Sequence, residues 1–351
     1  MDFEKGKSAL PTGNAKVFKN TRETLPLLEV ENEVLWVNPN LDYPFKLEAG
    51  KQANLGLFLD GNSARRASQK HLEAASGHNR SILLGRVIFG DKNDSSENKQ
   101  LFRDVDIKGI GHVLNRADSV YTRVGYVSPM SDGGSYGILD YRDATKDALI
   151  AEELNDCGVR VSRTIAIIKL KEIIDLDKRI SIEDAKARGW IGGKVVPVLE
   201  VRAFGTQTRL MDIVGAESIF ERKDLLEDAK NLVAQELGKN PSAFTLNDYA
   251  GWLAETVGKN VGLMNRHGFV HRYLGMGHNI TLDGCLVDFD SVSRHDPRHS
   301  WQFDVDRDGA YEALHAFIDS PGLSELGYLE RSEILRKFSV TYNQYSGFAR
   351  R

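Results

Sequence analysis

Asn279 and Asp288 are the pair whose chemistry and spacing point most directly to a site in this chain. Between them, Ile280 to Val287 reads as two short strands joined by Asp283-Gly284. Asp-Gly is a favoured two-residue hairpin loop because both residues tolerate positive φ. With that loop, Leu282 pairs with Cys285, Thr281 with Leu286 and Ile280 with Val287, so that Asn279 faces Asp288. Directly opposed residues hold their Cβ atoms roughly 5 Å apart. An amide oxygen and a carboxylate then reach one hard cation. Mg²⁺ commonly takes only one or two protein carboxylates, with water and phosphate oxygens completing its shell. The chemistry implied is capture of a metal-bound phosphate, and the plain alternative is an exposed hairpin with polar ends.

A second set of residues suits the phosphate end of such a ligand. Lys108 closes an alternating apolar and polar run and precedes Gly109-Ile110-Gly111. Its ammonium can reach phosphate if Glu152 or Glu153, on the helix that follows, holds it in place, and a Lys-Glu pair of this kind is a required part of kinase active sites. Taken alone, the same residues also suit a solvated strand end and an exposed helix face. Arg202 and Arg209 offer guanidinium forks, which bind phosphate oxygens bidentately and stay charged at any relevant pH, although surface solvation explains them equally well in isolation.

These groups need elements to position them. Ser81 to Phe89 and Leu101 to Lys108 flank the polar stretch Asp91 to Gln100 and suggest an antiparallel hairpin. Ala144 to Cys157 carries helical spacing and is followed by Gly158, a stop signal. Ser162 to Leu170 and Lys194 to Phe204 read as strands, separated by a helix capped at Ser181 with Glu183-Asp184 in its first turn. Beyond about Thr206 the pattern turns helical, over Phe220 to Leu237, Thr245 to Arg266, Glu312 to Ile318 and Ser332 to Ser346. The expected fold is α+β, with a β-rich amino-terminal lobe over residues 1–205 and a helical carboxyl-terminal lobe over 206–351 that carries the hairpin. That is a protein-kinase-like plan, with nucleotide lying between the lobes.

Composition narrows the function classes. The 351 residues are 41% hydrophobic and 27% charged, and no apolar run approaches the roughly 20 residues of a membrane span. Net charge is -4 with no Lys/Arg block, which argues against nucleic acid as a partner. The opening residues lack the apolar core of a secretory signal and Cys157 and Cys285 cannot build a disulfide framework, so a cytoplasmic home is expected. Gly133-Gly134-Ser135-Tyr136-Gly137 matches a hydrolase nucleophile elbow but lacks a preceding strand pattern. Asp304, Asp306, Asp308 and Gly309 begin a calcium-loop pattern, yet His315 stands where a bidentate Glu is required, leaving an acidic turn before a helix. His271, His295, His299 and Cys285 lack zinc-site spacing, and Gly192-Gly193-Lys194 lacks that of a phosphate loop.

From roughly Gly77 to Asp290 the chain resembles the selenoprotein O family of kinase-fold protein adenylyltransferases. Gly77-His78-Asn79-Arg80-Ser81-Ile82-Leu83-Leu84-Gly85 is similar to the family's Gly-Asp-Gly-Arg-Ala-x-Leu-Leu-Gly, and Asp106-Ile107-Lys108-Gly109-Ile110-Gly111 to its Gln-Leu-Lys-Gly-Ala-Gly. Arg142 and Ala151-Glu152-Glu153-Leu154 with Gly158-Val159 match its Arg and Ser-Glu-Ala-Met…Gly-Ile. The resemblance implies Lys108 paired with Glu152 at the phosphates, with Arg80 and Gly109 beside them. It further implies Arg202 and Arg209 on the terminal phosphate, and Asn279 and Asp288 holding Mg²⁺ or Mn²⁺. ATP would lie reversed, so that AMP passes to a Ser, Thr or Tyr hydroxyl of a protein substrate. One departure bears on chemistry: the family's base is an Asp immediately before the metal-binding Asn, and this chain has His278 there. A neutral His can take a proton near pH 7, Asp290 is a further candidate base, and a site that binds nucleotide without turnover is the alternative. Transfer of the γ-phosphate, as by an ordinary kinase, is another.

Overall fold

A computed structural model describes residues 24–59, 72–76, 81–92, 100–111, 137–175, 178–216, 218–299 and 301–347. The strands are β1 (Thr24–Glu29), β2 (Asn32–Val37), β3 (Leu57–Leu59), β4 (Leu72–Ser76), β5 (Ser81–Phe89), β6 (Phe102–Lys108), β7 (Leu139–Asp140), β8 (Arg163–Leu170), β9 (Glu172–Asp175), β10 (Lys178–Ser181), β11 (Pro197–Phe204), β12 (Phe269–Val270) and β13 (Ser293–Arg294). The helices are α1 (Tyr141–Asp156), α2 (Ile182–Ala187), α3 (Leu210–Gly215), α4 (Ile219–Glu236), α5 (Leu246–Arg266), α6 (Trp301–Ile318) and α7 (Tyr328–Ser346). The fold is α+β. By contacts the chain divides into one unit of residues 1–93, 103–146 and 164–203, and another of 94–102, 147–163 and 204–351. The two units are not contiguous in sequence, and residues 147–163 go with the second.

The first unit is built on a sheet of order β2-β8-β11-β6-β5-β4-β1-β3, with β7 beside β11. Its central strands are rich in Val, Ile and Leu, and β11 is buried along its whole length. In β6, Val105 and Ile107 share one face while Asp104, Asp106 and Lys108 share the other, and all five are buried. The helix after Ser181 forms as its capping pattern requires, the hydroxyl accepting from the Asp184 amide at 3.0 Å.

The second unit packs four long helices around one apolar core. In α5, Tyr249, Leu253, Val257, Val261 and Met264 are fully buried at helical spacing, and Thr245 caps the start through Asp248. Close approach to α7 requires small residues: a Cβ on Gly258 would stand 2.6 Å from the Phe338 carbonyl oxygen, and one on Gly262 would stand 2.9 Å from that of Tyr342. α6 begins at Trp301, well before the expected Glu312, and carries Asp304, Asp306 and Asp308 on helix rather than in a turn. No helix among the described residues is long and apolar enough to cross a membrane.

Candidate functional site

Four short segments of the second unit assemble a small ladder that carries the hairpin. Leu286 pairs with Val161 in parallel and with Ile280 antiparallel, and Thr281 pairs with Arg209. The Leu282 amide donates to the Thr208 carbonyl at 2.8 Å and the Leu210 amide to Ile280 at 2.9 Å. The hairpin differs from expectation by one residue. Thr281 N–H donates to the Cys285 carbonyl and Val287 N–H to that of Asn279, so Asn279 lies opposite Val287 rather than Asp288. The loop is Leu282-Asp283-Gly284. An Asp-Gly loop of two residues needs positive φ at both positions, whereas Gly284 has φ 76° and Asp283 is not among the positive-φ residues. Asp283 is held inside instead: its carboxylate accepts from the Thr281 hydroxyl at 2.6 Å, the Cys285 thiol at 3.0 Å and Arg160 at 3.2 Å. Burial and that carboxylate push the Cys285 thiol well up, leaving it protonated and inert.

Asp288 consequently falls one residue past the paired limb, in the left-handed region at φ 64°, where it precedes a single 3₁₀ turn of Phe289, Asp290 and Ser291. A non-glycine residue at such a φ stores strain of order 1–3 kcal/mol, which the surrounding bonds must offset. The other case among the described residues is Arg272, at φ 71°, and its cause is visible. Asp306, fully buried on α6, accepts from the Arg272 amide at 2.6 Å, the His271 amide at 2.9 Å and the Asn265 side chain at 3.1 Å. One carboxylate thus gathers consecutive backbone donors and bends the chain at Arg272. Burial pushes the Asp306 carboxyl up, and these donors oppose that shift. His271, also fully buried, makes a 2.8 Å hydrogen bond through Nε2 to the Val287 carbonyl and so ties this loop to the hairpin.

From there the loop runs to Asn279, whose Nδ2 donates to the Tyr273 carbonyl at 3.0 Å and turns the amide oxygen to the other side. Arg209 donates to the His278 carbonyl at 2.5 Å, and its Nη1 stands 3.6 Å from Asp288 Oδ2. His278 is exposed, with its pKa lowered by partial burial of the ring and then by Arg209, against the pull of Asp212 and Asp288. Asp290 is half-buried.

The order His271-Arg272-Tyr273-Leu274…Asn279, followed by Asp288-Phe289-Asp290, parallels the kinase signatures H-R-D-L-x-x-x-N and D-F-G. Tyr273, 62% exposed, stands where that signature carries its catalytic Asp, and one extra residue precedes Asn279. Neither Tyr273 nor Asp306 stood out from the sequence. Asp306 was masked by its calcium-loop-like neighbours, and its signal was an acid at the helical spacing of the buried Gln302, Ala310 and Ala313.

Other expected site residues occupy distinct settings. In the first unit Lys108 ends β6 at 5% exposure, and Gly109 has φ 99° with a Cβ position 2.5 Å from the Val198 carbonyl oxygen, so glycine is required. Arg202, on β11, makes two 2.8 Å bonds from Nε and Nη2 to Asp106, and Thr164 donates to Glu200 nearby. In the second unit Glu152 receives both Nε and Nη2 of Arg163. Arg80 and Ser135 lie outside the described residues. Among the described residues no group of three or more His, Cys, Asp or Glu is gathered as for a metal ion.

No protein-family model matches the chain, and no curated protein matches it significantly. Among solved structures it is similar to ROP2 from Toxoplasma gondii, described as a virulence factor with a protein-kinase fold and no enzymatic activity, at 11% identity and TM-score 0.35, covering 99% of this chain and 87% of that one. It is also similar to a Toxoplasma gondii specific rhoptry antigen kinase domain, at 12% identity and TM-score 0.32, covering 80% and 86%. Scores this low leave the fold assignment to the chain's own geometry.

Proposed function

We propose that this protein is kinase-like and binds the metal complex of ATP, and that it acts through binding rather than through rapid phosphoryl transfer. The observation that supports binding is the buried Asp306 clamp on the His271 and Arg272 amides, which shapes the loop leading to Asn279 while His271 joins it to the segment before Asp288. The donor set suits Mg²⁺ or Mn²⁺: one amide oxygen at Asn279 and one carboxylate at Asp288, 29% exposed, are what such a cation takes from protein when phosphates supply the rest. When bound, the cation would neutralise phosphate charge. The support for weak turnover is Tyr273, which has no carboxylate to accept a hydroxyl proton.

A second reading, transfer of AMP to a protein hydroxyl, draws on the resemblance to the selenoprotein O family and on His278. An exposed imidazole with a lowered pKa is neutral at pH 7 and can accept a proton where that family uses Asp. Incubation with Mg²⁺ and ATP labelled at the α or the γ phosphate distinguishes the readings. A nucleotide-dependent rise in melting temperature without label in protein supports the binding reading. Label from the α position supports AMP transfer, and label from γ supports a kinase. No rise and no label would overturn all three.

A further inference from the structure

Arg209 stands out within this loop because it is fixed before any ligand arrives. Its backbone pairs with Thr281, its amide donates to Asp212 at 2.8 Å, and its Nη1 donates to the His278 carbonyl at 2.5 Å. The side chain is only 6% exposed, and its Nε, buried, has no hydrogen-bond partner among the described residues. A guanidinium held this way keeps its charge at every accessible pH and loses little freedom when it meets an anion. The anion it meets is Asp288, 3.6 Å away. In nucleotide sites of the kinase type, the aspartate at that position is neutralised by the divalent cation, which links it to phosphate oxygens. Here a permanent cation already stands beside it, and a metal ion reaching Asp288 shares the carboxylate with that charge or displaces it.

Resting on the nucleotide-binding reading, we propose that Arg209 is a resident counter-cation for Asp288, a positioning residue that keeps the loop in one arrangement and lets the site take a nucleoside triphosphate without a divalent cation. The same contacts explain the join between His278 and Asp288. A single guanidinium spans the carbonyl of one and the carboxylate of the other, so the residues around Asn279 stay ordered whether or not metal is present. Both contacts are made by one nitrogen, Nη1, which stands between the two oxygens.

The test compares ATP binding by calorimetry in excess magnesium and in EDTA, using the full chain. Wild-type affinities in the two buffers should agree within about threefold, whereas Arg209→Gln should lose roughly tenfold or more in EDTA and recover with magnesium. Asp288→Asn supplies an independent arm and decides the matter should Arg209→Gln fail to fold: removing the acid leaves more of the Arg209 charge to the phosphates, so binding in EDTA should tighten by about threefold or more. Wild-type binding that vanishes in EDTA, or an Asp288→Asn affinity in EDTA unchanged from wild type, would overturn the counter-cation role while leaving nucleotide binding intact. Absence of binding in both buffers would remove the nucleotide reading itself and this inference with it.

Discussion

Arg202 and Arg209 lie close together in sequence, yet the two units use them in different ways. In the first unit Arg202 is 3% exposed and turns Nε and Nη2 to one side chain, Asp106, on the neighbouring strand. In the second, Arg209 serves a backbone carbonyl and stands near a carboxylate that is itself partly open. Buried side-chain pairs in a sheet satisfy one another and specify register, because each alternate residue must meet its partner across the ladder. Buried charges that hold backbone amides and carbonyls specify loop shape instead. Asp306 is the strongest example of the second kind, with two amides and a carboxamide converging on it.

The contrast can be broken most forcefully at Asp306. Asp306→Ala removes the acceptor of two buried donors, the His271 amide and the Asn265 side chain, at about 1–3 kcal/mol each, and of the part-buried Arg272 amide, so a loss of roughly 2–6 kcal/mol is expected in chemical denaturation. Nucleotide binding should vanish with it, because Arg272 loses what holds it at positive φ. A loss under about 1 kcal/mol would mean that packing, not this carboxylate, shapes the loop.

The sheet pair answers differently. Arg202→Met takes two charge-assisted bonds from a fully buried Asp106 and should cost about 3–5 kcal/mol, while the double change Arg202→Met with Asp106→Leu should recover most of it, since an apolar pair of similar volume replaces an ion pair at little net cost. No comparable rescue is available at Asp306, whose partners are largely backbone. If the double variant is as unstable as the single one, Arg202 has a duty beyond neutralising Asp106.

How much of this was legible beforehand follows from the same distinction. Strands and helices with apolar periodicity read correctly: β5, β6, β8, β11, α4 and α5 fall within a few residues of expectation, because side-chain burial repeats along the chain. The Ser181 cap was also local enough to read. The first half of α6 was missed because Asp304, Asp306 and Asp308 imitate a turn, and only burial reveals that Asp306 faces inward. The hairpin shifted by one residue because Asp283 turns inward, where Arg160, far away in sequence, joins the local Thr281 and Cys285 as a donor. Asn279 and Asp288 were identifiable as residue types, but the left-handed φ at Asp288 and its guanidinium neighbour depend on the folded ladder.

The smallest expected effect concerns His278, and it sharpens the assignment of Arg209 to loop electrostatics. Its native pKa is lowered, first by partial burial and then by the Arg209 charge, so it should titrate below 6.5 when followed by NMR of the imidazole. The sign for stability follows: the unfolded chain binds the proton more readily, so this contribution is fully present above pH 6.5 and is lost as pH falls through the native value. Arg209→Gln removes one of the two lowering influences while Asp212 and Asp288 continue to raise it, so the pKa should move back up toward 6.5. A His278 that titrates at the same pH with and without Arg209 would show that the guanidinium charge is not felt at the loop.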